Sequence, residues 1–352
     1  MKVTSTLEYV RLKRIGADQG ANSEVYHIED SQLGADLVAK ETKRDAFRNP
    51  PDEYFEEARA MFSTASRNVV PIQYACQNAD TINLVMPYYR GGSLEDQTRH
   101  GPVRLAEVKR IAIGALAGLA RIHAKGIVHY DVKPSNVLLS ERGEPAMADF
   151  GQARRMSQDG TSEIPKRLHI VSMPPEACSG GRASHLFDIY QFGLLLYRAA
   201  NGDEMLMKQS SGQLLVHEME VFAGRFPDRK QFMPHVPNRL RKIVRKALSV
   251  EPEDRFQSAD ELAAALGRMP IDVDWSPAPQ SDGGFEWTAV RDGHADLVVR
   301  LSRNGTPNVW DVRVSTRNNG VLRAKNRAKY EKSGLTLSDA HLRLKEVFED
   351  LR

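Results

Sequence analysis

The stretch HYDVKPSNVLLSERGEPAMADFG, residues 129–151, constrains this chain more than any other, because it sets four reactive polar side chains at fixed spacings. Asp131 can accept a hydroxyl proton, Lys133 can face an anionic phosphate, and Asn136 can offer a neutral oxygen to a metal ion. Asp149, thirteen residues after Asn136, is a further candidate magnesium ligand. Phosphoryl transfer needs such a set, because its transition state is stabilised mainly by position and charge.

Composition limits the classes of protein that this sequence can belong to. The chain has 352 residues, of which 41% are hydrophobic, so it can bury a core and form one large domain or two to three ordinary ones. A formal net charge of +3 gives no general electrostatic case for nucleic acid or membrane binding. Two cysteines suit a reducing compartment, and the apolar runs are too short to span a bilayer. We therefore expect a cytoplasmic protein without a membrane segment.

Local patterns predict two structural regions and a small third one. Alternating stretches between residues 7 and 40 predict antiparallel strands, and PPDEYFEEARAMFSTA has the proline start, early acids and apolar spacing of a helix. VVPIQYACQ and TINLVMPYY predict more strands, whereas the apolar spacing from Leu105 onward predicts helices. Beyond a segment rich in proline and glycine near residue 270, we expect three strands and a helix from about Ser338.

Several motifs in a fixed order carry a family resemblance. VAK at 38–40, HYDVKPSN, DFG, PPE at 174–176 and DIYQFG at 188–193 together resemble the eukaryotic-type, or Hanks-type, serine/threonine protein kinases. The resemblance covers about residues 9–268. It implies an α+β bilobal fold, with a small antiparallel sheet lobe that contains one helix and a larger, mainly helical lobe. The predicted boundaries are 1–88 for the sheet lobe, 89–270 for the helical lobe and 271–352 for a small strand-and-helix accessory domain outside the resemblance.

The resemblance implies an enzyme that transfers the γ-phosphoryl group of ATP, with Mg²⁺, to protein serine or threonine. Lys40 would contact the α and β phosphates while paired with Glu57, or with the adjacent Glu56 if one residue is inserted. Asp131 would orient the hydroxyl, and Lys133 would offset charge on the γ-phosphate.

The same comparison implies the nucleotide and metal ligands. The residues implied to bind the nucleotide are Gly16, Gly20, Val25, Ala39, Lys40, Met86, Tyr88 and Leu138. Asn136 and Asp149 are implied to hold the metal. Glu176 and Arg255 would form a structural ion pair.

The glycine-rich loop departs from the family pattern. DQGANSEV places Asp18, Gly20 and Ser23 at the three glycine positions, so only the middle glycine is retained. Either Asp18 weakens nucleotide binding by charge repulsion, or Gly16 acts in a differently shaped turn.

Tyr130 is a second departure. Much of the family has an arginine before the catalytic aspartate, which pairs with a phosphorylated activation loop, and tyrosine has no positive charge to offer. We therefore expect activation-loop control that is not of the usual arginine–phosphate type. Ser157, Thr161 and Ser162 remain available for autophosphorylation. His169 stands where the family has a threonine that braces the catalytic loop.

Three functions are compatible with these motifs. An active protein kinase keeps every catalytic position. A small-molecule phosphotransferase shares the HxDxxxxN loop, although Glu176, Arg255 and DIYQFG argue against it. A pseudokinase that acts as a binding scaffold is suggested by Asp18, Tyr130 and His169.

The C-terminal module leaves more alternatives open. Residues 313–332, RVSTRNNGVLRAKNRAKYEK, are basic, and the three tryptophans of the chain, Trp275, Trp287 and Trp310, lie in this module. A solvated face of a small domain, recruitment of a partner or substrate, and nucleic-acid contact are all compatible with this composition. A protein substrate is expected, and the sequence does not indicate the oligomeric state.

Overall fold

The chain forms a small sheet lobe, a mainly helical lobe and a C-terminal sheet with a final helix, in that order. The computed structural model describes residues 7–16, 23–46, 55–210, 212–291, 293–306, 308–318, 320–325 and 327–351. The mixture of antiparallel sheet and helices confirms the predicted α+β class, with a sheet lobe followed by a helical lobe. The predicted boundaries at residues 88 and 270 stay predictions.

The sheet lobe contains one antiparallel sheet and one helix in the described part of the chain. Its elements are β1 (Val10–Ile15), β2 (Ser23–Asp30), β3 (Ala35–Lys43), α1 (Glu56–Thr64), β4 (Tyr74–Gln77) and β5 (Thr81–Pro87). The strand order is β1-β2-β3-β5-β4. Gly34, with a φ of 61°, lies in the tight turn between β2 and β3, where a residue with a side chain would be strained. Helix α1 buries Ala58, Met61 and Thr64, which follow helical spacing. The helix predicted within this lobe is therefore present.

The helical lobe is built around α5, in which all residues but the first are buried. The helices of the lobe are α2 (Leu94–Thr98), α3 (Leu105–His123), α4 (Pro175–Ser179), α5 (Leu186–Asn201), α6 (Asp203–Met207), α7 (Leu214–Phe222), α8 (Asn238–Ala247) and α9 (Ala259–Gly267). Short strands connect them: β6 (Ile127–Val128), β7 (Val137–Leu139), β8 (Pro145–Met147), β9 (Arg154–Arg155), β10 (Ser162–Glu163) and β11 (Arg182–Ala183). Short 3-10 turns lie at Arg44–Ala46, Pro134–Asn136, Ile170–Ser172 and Pro252–Asp254.

The C-terminal region contains more strands than the sequence predicted. Its elements are β12 (Ser276–Pro279), β13 (Phe285–Ala289), β14 (Asp296–Arg303), β15 (Trp310–Asn318), β16 (Val321–Ala324), α10 (Arg327–Tyr330), β17 (Lys332–Leu335) and α11 (Leu337–Asp350). The three predicted strands correspond to β13, β14 and β15, and the predicted helix corresponds to α11. Strand β12 was missed because it contains two prolines, which only an edge strand tolerates. Strands β16 and β17 were missed because they are short and largely exposed.

The C-terminal sheet shares its core with the helical lobe. The ring centroids of Trp275 and Trp287 lie 5.0 Å and 5.2 Å from that of Phe348 in α11. Trp287 Nε1 donates a hydrogen bond to Nδ1 of the buried His235 in the helical lobe, at 3.1 Å. Asp274 accepts from the Ala106 amide, at 3.1 Å, and pairs with Arg104. The tryptophans of this module are therefore core residues.

No helix among the described residues has both the length and the apolar character that crossing a membrane would require.

Replacing Trp287 by alanine should destabilise the whole chain. Trp287 is fully buried between the sheet, α11 and the helical lobe, so its removal leaves a cavity and an unpaired His235. We expect the free energy of unfolding to fall by about 3–5 kcal/mol, measured by urea unfolding followed by circular dichroism. Val290→Ala, at a position 77% exposed, is the control and should change it by less than about 0.5 kcal/mol. A loss below about 1 kcal/mol for Trp287→Ala would contradict a shared core.

His235 should make stability depend on pH. Burial and the nearby Arg241 lower the pKa of His235 to about 3, so the folded protein keeps this ring neutral. The unfolded chain takes up the proton near pH 6.5, so stability is complete above that pH and is lost as the pH falls towards 3. Between pH 7 and pH 5 this residue should cost about 2 kcal/mol of unfolding free energy. His235→Gln, which keeps an acceptor for Trp287, should remove that part of the pH dependence in urea titrations, and an unchanged slope would refute the assignment.

Candidate active site

Asp188, at the start of α5, fixes the backbone of the loop that carries the candidate catalytic residues. Its Oδ2 accepts from the His129 amide and its Oδ1 accepts from the Tyr130 amide, both at 2.8 Å. His123 Nε2 lies 2.8 Å from the same carboxylate. Tyr130 has a φ of 63°, a left-handed conformation that costs a non-glycine residue about 1–3 kcal/mol. The carboxylate of Asp188 thus helps to hold the left-handed conformation of Tyr130, which sets the direction of the chain at Asp131.

Lys40 of β3 contacts two carboxylates at once. Its Nζ lies 2.8 Å from Glu57 Oε1 in α1 and 2.7 Å from Asp149 Oδ1, which follows β8. Glu56, the alternative partner, is exposed. The sheet, helix α1 and the segment after β8 therefore meet at one ammonium group, across the two lobes.

The charges around Lys40 shift the acidities of all three groups. Burial disfavours the charged ammonium, but Asp149 and Glu57 together raise the pKa of Lys40 above its usual value. Burial also disfavours a charged Asp149, but Lys40 outweighs it and lowers the pKa of that carboxyl well below its usual range. Burial raises the pKa of Glu57. Asp149 is therefore ionised at neutral pH and available to a cation, with Lys40 protonated beside it.

Asp131, Lys133 and Asn136 form one hydrogen-bonded group. Asn136 Nδ2 donates to the Asp131 main-chain oxygen at 2.8 Å and to Asp131 Oδ2 at 2.9 Å. Lys133 Nζ lies 2.9 Å from the same carboxylate oxygen. Asp131 and Asn136 are nearly inaccessible, so their side chains are held in place. Desolvation by neighbouring groups and the charge of Lys133 lower the pKa of His169 below its usual value, although the residue is exposed to solvent.

The donor set suits a magnesium ion that is shared with phosphates. Asn136 uses its amide nitrogen within the loop, which leaves the amide oxygen, and Asp149 supplies an ionised carboxylate. Both are the hard oxygen ligands that Mg²⁺ prefers. No group of three or more His, Cys, Asp or Glu side chains within the described ranges could hold a metal ion by itself. Mg²⁺ usually takes one or two carboxylates and completes its shell with substrate phosphates and water.

The structure corrects one residue of the predicted nucleotide site. Neighbouring residues in a strand face opposite sides, so Ala39 lies on the sheet face opposite to Lys40 and packs with Ile28, Leu37 and Val85. Val38, two residues before Lys40, shares the face of Lys40 and packs in the main core. The strand period of two could have identified Val38 from the sequence.

Four more of the residues predicted to bind the nucleotide lie on the same side of the sheet as Lys40. Val25 is paired with Lys40 across β2 and β3, and Met86 is paired with Val38 across β3 and β5. Leu138, in β7, packs in the same core as both of them. Tyr88 lies just after β5, and its ring stacks on His27 with centroids 4.2 Å apart.

Only part of the predicted phosphate loop belongs to the described residues. Gly16 follows β1 and has a φ of 64°, the left-handed conformation that glycine adopts without strain. Ser23 opens β2, and its hydroxyl hydrogen-bonds the Thr42 hydroxyl at 2.8 Å. Gly20 and Asp18 lie outside the described residues.

Two anchors hold the segment that follows the site. Arg255 donates to both oxygens of Glu176, each at 2.7 Å, and it is almost fully buried, so the predicted ion pair is present in bidentate form. The Tyr130 hydroxyl lies 2.9 Å from the Ser162 hydroxyl and donates to the Ser162 main-chain oxygen at 3.1 Å. Tyr130 also packs edge-on against Phe187, with centroids 4.8 Å apart. A neutral, buried contact thus ties residues 129–136, the catalytic loop, to residues 149–176, the activation segment.

Arg182 also holds the activation segment in place, through contacts that the sequence did not reveal. Its Nε donates to the Thr161 hydroxyl at 2.8 Å, and its Nη2 donates to the Thr161 main-chain oxygen at 2.8 Å and to Ser157 Oγ at 3.0 Å. The Asp159 carboxylate accepts from the Thr161 amide at 3.0 Å and lies 3.4 Å from Arg182. Strands β10 and β11, which pair Ser162 with Ala183, bring these residues together.

Comparison with known proteins agrees with this geometry. The family described as protein kinase domain matches residues 9–265. A probable serine/threonine-protein kinase of Streptomyces coelicolor, SCO3848, is 28% identical over 281 residues, which cover 76% of this chain and 41% of that protein. The serine/threonine-protein kinase PrkC of Bacillus subtilis is 28% identical over 265 residues, with 73% and 40% covered. PknK of Mycobacterium tuberculosis, another serine/threonine-protein kinase, is 28% identical over 299 residues, with 83% and 26% covered.

The match thus spans less than half the length of these relatives, but the family match takes in most of this chain and includes both lobes. The chain belongs to the protein kinase family.

Proposed function

We propose that the protein transfers the γ-phosphoryl group of ATP, with Mg²⁺, to serine or threonine hydroxyls of proteins, itself included. The observation that carries the proposal is the simultaneous contact of Lys40 with Glu57 and Asp149. Both the helix of the sheet lobe and the metal-binding segment must be in place for transfer in kinases. The side chains are arranged for turnover, which favours an active enzyme over a scaffold.

Each side chain of the site has a role that its surroundings support. Lys40 binds and orients the α and β phosphates. Asp149 and Asn136 would hold the metal ion, which would neutralise charge on the phosphates when bound. Asp131, held by Asn136 and Lys133, accepts the hydrogen bond of the substrate hydroxyl and orients it for attack on the γ-phosphorus. Lys133 offsets the charge that develops on the transferring group.

A protein hydroxyl is the acceptor that the helical lobe supports best. The Glu176–Arg255 pair ties the activation segment to the core, whereas a small-molecule phosphotransferase has no need of such a segment. The relatives are named as serine/threonine-protein kinases, and Lys133 two residues after Asp131 resembles that class.

We propose further that the activation segment keeps its form without phosphate. Tyr130 reaches Ser162 through neutral hydrogen bonds, and Arg182 already binds Thr161 and Ser157. Ser162 is 3% exposed, so a kinase cannot reach its hydroxyl in this conformation. A phosphate on Thr161 would lie beside both the Asp159 carboxylate, which would repel it, and the Arg182 guanidinium, which would attract it and already binds the unmodified hydroxyl.

Asp149→Asn should remove activity and keep the fold. The amide preserves the shape but lacks the charge that binds the cation and pairs with Lys40, so we expect kcat to fall at least about a hundredfold, or about 2.7 kcal/mol. Transfer from γ-labelled ATP to a generic basic protein, followed by phosphoamino-acid analysis, measures this and the acceptor residue. Asp80→Asn, at an exposed loop position, should leave kcat unchanged. Full turnover by a folded Asp149→Asn protein, or label in phosphotyrosine alone, would overturn the proposal.

Removal of phosphate from the activation segment should change activity little. We expect phosphatase-treated enzyme and the Thr161→Ala variant to retain kcat/KM within about tenfold, or about 1.4 kcal/mol, because the Tyr130–Ser162 contact remains. Tyr130→Ala removes that contact and should slow transfer beyond this limit and speed proteolysis between residues 157 and 163. A larger loss on phosphatase treatment than in Tyr130→Ala would show that phosphate orders the segment.

A further inference from the structure

Strand β16 forms an open edge of the C-terminal sheet. The described strands follow the order β12-β13-β14-β15-β16, so β16 has a partner, β15, on one side only. All four of its residues are exposed, including Val321 at 58% and Leu322 at 50%. An exposed edge with apolar side chains is a template for pairing with another extended segment.

The ladder shows which main-chain groups point outward. The Lys325 amide donates to Val314 O at 2.9 Å, and the register pairs Arg323 with Thr316 and Leu322 with Arg317. Main-chain groups alternate between the two sides of a strand, so Arg323 bonds inward with Lys325, whereas Leu322 and Ala324 present their N–H and C=O groups to solvent. A short antiparallel segment can therefore add to this edge.

The charge around this edge is strongly positive. Residues 313–332 contain seven Lys or Arg and one acidic residue, Glu331. Arg317 pairs with Glu286, and Lys329 pairs with Asp350. Arg313 pairs with Asp311. In the described part of the chain the Arg323 guanidinium has no carboxylate partner, so an anionic group of a binding partner would be favoured beside it.

The described residues place no exposed aromatic ring at this edge on which nucleic-acid bases could stack. Trp275, Trp287 and Trp310 are at most 5% exposed, and Tyr330 is 7% exposed. Single-stranded nucleic acids are held by exposed aromatic rings together with basic grooves. Exposed aliphatic side chains and free main-chain groups fit a peptide better.

We propose that β16 binds an extended peptide segment in which acidic and apolar residues alternate. Side chains at alternate positions of an added strand lie on the same face as Arg323 and Lys325, where acidic groups pair with them. The intervening positions lie beside Leu322 and Ala324, where apolar groups lose contact with water. Burial and the nearby Arg291 lower the pKa of Lys325, in agreement with an excess of positive charge at this edge. The partner is a segment of another protein, held outside the phosphoryl-transfer site.

The test uses the full chain and two fluorescein-labelled peptides of equal composition. One alternates glutamate and valine, and the other has the same residues in two blocks, so only the alternating peptide matches the register of the edge. Fluorescence anisotropy should give at least about tenfold tighter binding of the alternating peptide, and weaker binding as salt rises. Equal affinities would overturn the proposal, because they would show attraction by net charge alone.

Variants of the protein identify the edge. Arg323→Glu with Lys325→Glu should weaken binding of the alternating peptide at least about tenfold, and Arg239→Glu, on the exposed face of α8, should weaken it less than about twofold. Leu322→Pro removes an outward N–H and should weaken binding with unchanged net charge. The wild type and the three variants should phosphorylate a generic protein equally, which reports on folding and is independent of the edge.

Two other outcomes would replace the proposal. Tighter binding of a polythymidine oligonucleotide than of the peptide would indicate nucleic-acid binding, and concentration-dependent self-association abolished by Leu322→Pro would indicate pairing of two copies.

Discussion

The arrangement of the site depends on one buried carboxylate, that of Asp188. It is completely inaccessible, and two main-chain amides and a histidine ring satisfy it. An unpaired buried charge would be very costly, so this loop backbone and α5 hold each other in place. Helix α5 is buried along almost its whole length, so packing holds it in place. The loop that carries Asp131 and Asn136 is hydrogen-bonded to Asp188 of this helix and is held in place with it.

The ammonium group of Lys40 has the corresponding role between the lobes. It is the shared partner of a helix in the sheet lobe and of a segment that follows β8 in the helical lobe. The carboxylates of Glu57 and Asp149 repel each other, and the Lys40 ammonium group between them makes their approach favourable. The same contact keeps Asp149 ionised, so the contact between the lobes and the charge of the carboxylate proposed to hold a metal ion have one electrostatic cause.

Much of the site was predictable because its spacings follow from the lengths of rigid elements. Asp131 and Asn136 lie in one loop, and Asp149 follows the short hairpin of β7 and β8. The spacing of these residues in the sequence therefore largely determines how close they lie in space. Ala39 was assigned wrongly because the motif was matched by position without the alternation of the strand, which selects Val38. Arg182 was missed because β10 and β11 are two residues long and have no periodicity, and their pairing arises only in the fold. The strands β12 and β16 lacked the apolar alternation of a half-buried strand, since the chain leaves both at the edges of the sheet.

Tyr130 shows how a neutral side chain can take over a structural task that elsewhere requires charge. A buried arginine needs an anion, so a segment held by it forms only after phosphorylation supplies one. Tyr130 satisfies its hydroxyl with Ser162 and buries its ring against Phe187, so its burial leaves no charge unpaired. The cost of its left-handed backbone is offset by the hydrogen bond that the Tyr130 amide donates to the Asp188 carboxylate. The catalytic loop and the activation segment therefore share Tyr130 as their support. We therefore propose that order in the activation segment follows from folding of the helical lobe itself.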